Sequence, residues 1–194
     1  SVLSRWAGGL PPRYGARLPL IAGPLTVALA FALFMLPGVG GSYWTTFFPP
    51  AVVLGLGMAV TVAPLTTAVM GSVPGHLSGT ASGINNAASR VAGLLSIALF
   101  GLLMLAVFGA ALRGGVGVLG LPAQAETAIY AQQGDLAALE PPAGLSGTQK
   151  ASVREAVNGA YLTGFRVVMA TSAGLAALAA LVAWRLVEGK GEAR

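Results

Sequence analysis

Residues 18–89 read LPLIAGPLTVALAFALFMLPGVGGSYWTTFFPPAVVLGLGMAVTVAPLTTAVMGSVPGHLSGTASGINNAAS, without one Asp, Glu, Lys or Arg. A run of this length cannot fold with a wetted face, and it suffices for two membrane crossings of ~20 residues each. The rest of the 194-residue chain agrees: 9% of residues are charged and 55% are hydrophobic, with mean hydropathy +0.77. Soluble globular proteins carry about a quarter charged residues, so the composition argues against a soluble enzyme. There is no Cys, hence neither a disulfide frame nor a thiolate metal site. The net charge of +5 comes from basic residues scattered along the chain, which points to membrane topology and away from nucleic acid.

Four segments read as spanning helices, giving an all-α membrane protein. The first covers 18–36 and ends at the breaker cluster Pro37-Gly38-Val39-Gly40-Gly41. The second lies within 43–70, interrupted by Pro49, Pro50 and Pro64. The third contains the uncharged stretch 91–112, with its helical pattern starting near Ser78, and the fourth contains 167–184. The expected organisation is a basic loop at 1–17, three spans within 18–112, an outer connection at 113–157, a last span within 158–187 and a tail at 188–194. The segment 146–161 can extend the last helix outward, with a bend at Asn158-Gly159, while the remainder of the Ala-, Gly-, Pro- and Gln-rich connection reads as solvated linker.

Orientation follows from the short flanks, where an excess of Lys and Arg marks the cytoplasmic side. Arg5, Arg13 and Arg17 precede the first span without an acid among them, whereas the connection 113–157 is slightly acidic. Both termini are therefore expected in the cytoplasm and the connection outside. Tyr43 and Trp44 fall at the outer boundary, Trp6 and Trp184 at the inner one, as interfacial anchors do. Three Arg before an apolar run imitate a secretory signal peptide, but the first span exceeds the ~7–15 residues of such a core and no small-residue cleavage site closes it. The chain starts at Ser1 within a loop pattern, and the expectation is a piece of something longer.

Two stretches carry the functional reading. In the opening loop, Gly15 permits a tight turn, while Arg13 and Arg17 can meet lipid phosphates, helix C-terminal carbonyls or a carboxylate on a facing helix. On the third helix, i,i+4 spacing aligns Gly79, Gly83 and Ala87 as a small-residue packing stripe, and Ser78, Ser82, Asn86 and Arg90 as an adjacent polar track. An arginine in hydrocarbon costs at least ~2.5 kcal/mol, so Arg90 must reach protein, water or headgroups. It either snorkels to the inner interface or, with Asn86 and Ser82, lines a transport path or an inter-half seam. His76, with no Asp, Glu or Cys close by in sequence, reads as a loop residue. No nucleophile elbow, P-loop, paired carboxylates or metal spacing occurs, and no enzyme activity, cofactor or metal is expected.

The opening loop resembles the G-x-L-x-D-R-x-G-R-R signature of the major facilitator superfamily: Gly8, Leu10, Arg13, Gly15 and Arg17 match. Pro12 stands where the family has Asp and Ala16 where it often has Arg, a departure that fits the commonly degenerate copy in the second half. The stretch from Gly79 through Ser82, Gly83, Asn85 and Asn86 to Arg90 is similar to the second-last helix of the fourteen-helix, drug:proton antiporter branch. The segment from Gly55 to Leu65 looks like the helix before it. The resemblance implies part of the C-terminal six-helix half of a transporter working by alternating access in a bacterial cytoplasmic membrane. It also implies membrane lipids, a small lipophilic substrate, protons as coupling ion and an N-terminal portion of the same polypeptide as partners. The rival reading is a self-contained four-helix scaffold or accessory subunit that uses the glycine stripe as its contact face.

Overall fold

A computed structural model describes residues 17–71 and 73–187. Its described residues are helical and contain no strand. The helices are α1 (Arg17–Phe34), α2 (Tyr43–Thr46), α3 (Phe48–Gly71), α4 (Ser78–Gly117), α5 (Ala123–Ala131) and α6 (Gly147–Leu186), with 3-10 turns at Gly75–Leu77 and Gln133–Ala138. Among the described residues four helical stretches are long and apolar enough to cross a bilayer: α1, α3, α4 with the turn before it, and α6. The expected class and number of spans are therefore present. The chain separates into two compact units, one holding the described parts of 1–37, 41–94 and 169–194, the other 38–40 and 95–168.

In the first unit α1 and α3 pack closely because glycines remove the side chains where they meet. A Cβ built on Gly57 would stand 2.8 Å from both the backbone nitrogen and Cγ2 of Val27, and one on Gly23 would run into Thr61. Small residues at such crossings let backbones approach, which is how helices gain packing without a hydrophobic driving force in lipid. Threonine hydroxyls on these apolar helices are satisfied locally: Thr61 donates to Gly57 O at 2.7 Å and Thr26 to Ala22 O at 2.8 Å. Within 43–70 the helix is interrupted at Phe47, between α2 and α3, just before Pro49 and Pro50. They occupy the first turn of α3, where an absent N–H leaves no helical bond unmade. Pro24 and Pro64 lie inside α1 and α3, and both are buried. Between α1 and α2 the chain reverses through Gly40 (φ +86°) and Gly41 (φ +100°), angles that a side chain would oppose. Beyond the turn, Tyr43, Trp44, Phe47 and Phe48 form an aromatic group, with Trp44 and Phe48 rings 5.1 Å apart.

The second unit differs most from expectation. The helix expected over 146–161 is present as the start of α6, but the connection before it, expected to be linker, folds into a cap with its own core. Phe108, Leu112 and Val116 of α4, Leu121, Ile129 of α5, Leu139, Leu145, and Val153, Val157 and Ala160 of α6 are buried together. α4 continues to Gly117 and α6 begins at Gly147, so both helices extend into the interval assigned to the connection. They run antiparallel here, Gly164 lying against Met104 and Gly115 against Ala156. Ser146 and Gln149 make a reciprocal capping box at the start of α6: Gln149 N–H donates to Ser146 Oγ at 3.3 Å and Ser146 N–H to Gln149 Oε1 at 3.0 Å. The expected bend at Asn158-Gly159 is absent, and α6 runs unbroken for 40 residues, or ~60 Å at 1.5 Å per residue. With neighbours packed on Val157 and Ala160, Gly159 has no need to break the helix. Leu136 adopts φ +52° inside the 3-10 turn, a strained backbone for a branched side chain, and packs against the core.

Candidate functional site

The polar track lies on α4 where the sequence places it. Its helix starts at a 3-10 turn in which Ser78 Oγ donates to Gly75 O at 2.8 Å, and the side chains then climb at i,i+4 intervals. Ser82 is half-buried, while Asn86 and Arg90 are exposed. Among the described residues Arg90 has no hydrogen-bond or ion-pair partner. Around it α4 is apolar and uncovered: Val91, Leu94, Leu95 and Ile97 are all exposed, and only 6% of the most apolar window is buried. The stripe of Gly79, Gly83 and Ala87 is uncovered too, since a Cβ at either glycine would meet nothing within 4 Å. The tightest glycine packing within the described residues is instead at Gly23, Gly57 and Gly164, positions the spacing argument did not single out.

Of the loop-motif residues, Gly8, Leu10, Arg13 and Gly15 lie outside the described residues, as does Trp6. Arg17 is the first residue of α1, and its Nη2 donates to Trp184 O at 2.8 Å, close to the C-terminus of α6. A cation there meets carbonyls that the helix leaves unpaired and the negative end of its dipole. Arg185 places its guanidinium 5.0 Å from the centroid of the Trp184 ring. The charge type at Arg17 was legible, but its partner, 167 residues away, was not. His76 sits exposed in the 3-10 turn, and among the described residues no group of three or more His, Cys, Asp or Glu could hold a metal.

Long uncovered apolar helices, one bearing a polar track that ends in an arginine, define a multi-pass membrane protein with surface left for further contacts. In 174 aligned residues the chain is 28% identical to a tetracenomycin C resistance and export protein of Streptomyces glaucescens. That alignment covers 88% of this chain and 32% of the relative, so the chain spans about a third of the relative's length. The similarity is to an export protein and not to an enzyme. No family model matches the chain. No solved structure matches it either.

Proposed function

We propose that this chain is the C-terminal part of a major-facilitator-type exporter that moves small lipophilic compounds out of the cell in exchange for protons. The observation that carries the reading is the similarity to an export protein along 88% of the chain, in a chain with four candidate spans among its described residues. In this reading both termini are cytoplasmic, the cap projects outward, and Ser82, Asn86 and Arg90 face the remaining part of the transporter across a transport path or seam.

The test uses the protein as its gene encodes it, in cells lacking their own exporters and challenged with tetracenomycin C and unrelated lipophilic antibiotics. Expression should raise resistance, and collapse of the proton gradient should abolish it. Arg90→Ala should lower export by roughly tenfold at unchanged expression, the scale of a lost charge-assisted hydrogen bond of ~1.5–3 kcal/mol. Full export by Arg90→Ala would remove the residue from the path, and no export of any compound would sink the reading. The uncovered glycine stripe on α4 also suits a scaffold that assembles through that face, and an encoded chain confined to these four spans would favour it.

A further inference from the structure

Within the second unit, α6 and the turn at 38–40 border an open cavity of about 540 Å³, inside the ~300–1,000 Å³ of small-molecule sites. One wall is α6, which contributes Ala151, Arg154, Glu155, Asn158 and Gly159, and the other is Val39. By helical spacing these five α6 positions fall on the face opposite Val153, Val157 and Ala160, whose burial in the cap core holds the helix in place. The polar side chains therefore project from a fixed helix and not from a loop. Ala151 and Gly159 keep the floor low, and a Cβ added at Gly159 would meet nothing within 4 Å.

Arg154 and Glu155 are adjacent in sequence, and side chains at i and i+1 of a helix do not face each other. Among the described residues neither side chain has a hydrogen-bond or ion-pair partner, and nor does the Asn158 carboxamide. Asn158 stands about one turn on from both, so three unengaged groups border one space: a guanidinium that only donates, a carboxylate that only accepts and an amide that does both. Val39, 67% exposed, supplies apolar contact from the other side. A ligand that satisfies this set carries an anionic and a cationic group close together, with a small apolar substituent. We propose that the cavity binds a zwitterion of the α-amino acid class, its carboxylate on Arg154, its ammonium on Glu155 and its side chain against Val39. A net anion would meet the Glu155 carboxylate and a net cation the Arg154 guanidinium, so the opposed charges select against both. The proposal depends neither on export nor on the side of the membrane that the cavity faces.

The protein as encoded by its full gene, purified in detergent, is dialysed to equilibrium against labelled leucine. Binding should be roughly millimolar, because exposed ion pairs each contribute little. Leucine amide lacks the carboxylate and N-acetyl-leucine the ammonium, and each should compete roughly fivefold less well than leucine, the scale of one exposed ion pair. Arg154→Gln should remove the preference over leucine amide, Glu155→Gln the preference over N-acetyl-leucine, and Val39→Ser should weaken leucine while leaving glycine unchanged. All three positions are exposed, where substitution ordinarily leaves the fold intact. Absence of leucine binding, equal competition by the three probes, or binding that survives both Arg154→Gln and Glu155→Gln would overturn the proposal. Leucine binding by a protein that exports nothing would sink the proposed function alone.

Discussion

Gly57 and Gly79 show how differently two glycines of apolar helices can be used. At Gly57 an added side chain would strike backbone as well as the Val27 side chain, so the helix itself would have to move. Overpacking of that kind costs about 1–3 kcal/mol. Gly57→Val should accordingly lower the thermal midpoint of the detergent-solubilised protein, by roughly 2–4 °C for each kcal/mol in a chain of this size. Gly79→Ala meets open space and should leave that midpoint unchanged or slightly raised, since alanine favours helix. A fall at Gly79→Ala equal to that at Gly57→Val would show that the uncovered stripe is packed against something after all.

Among the elements, the cap offers the sharpest expectations. Phe108 is fully buried in its core, and Phe108→Ala should cost about 3–5 kcal/mol. Ser146→Ala removes the reciprocal cap of α6 and should cost about 1 kcal/mol. Hydrogen exchange distinguishes a folded cap from linker directly: amides of α5 and the first turns of α6 should be protected in the wild type and released by Phe108→Ala. Rapid exchange throughout 118–146 would refute the cap. The spans were legible in the sequence because charge is nearly excluded from them, Arg90 being the exception, and that signal needs no partner to be read. The cap was not, because Leu119, Leu121, Ile129, Leu136, Leu139 and Leu145 are dispersed among Ala, Gly, Pro and Gln without helical or strand period. Their grouping becomes visible only when α4 and α6 lie side by side. The same holds at the candidate site: Ser82, Asn86 and Arg90 share a face by spacing alone, whereas the Arg17 link to Trp184 depends on the packed helices.

At the scale of the molecule, the proposed topology is open to direct test, because these 194 residues bring no cysteine of their own into a cysteine-free background. Single cysteines introduced at exposed Gln124, near the start of α5, and at exposed Gly75, before α4, can be probed in intact cells with a membrane-impermeant maleimide. Outward projection of the cap requires labelling at 124 and protection at 75 until the cells are permeabilised. The reverse pattern would invert the topology, and labelling at both sites would contradict an intact barrier between them.

The cap core also imposes an order on biogenesis. It draws on Phe108 at one extreme and Ala160 at the other, so it cannot close before the ribosome has produced the latter residue. With the cap outside the bilayer, as proposed, Phe108, Leu112 and Val116 would until then extend the apolar stretch offered to the insertion machinery beyond the part that finally contacts lipid. The vertical position of α4 is thus settled late, when the last helix arrives to claim those three side chains and the surplus is withdrawn from the oil.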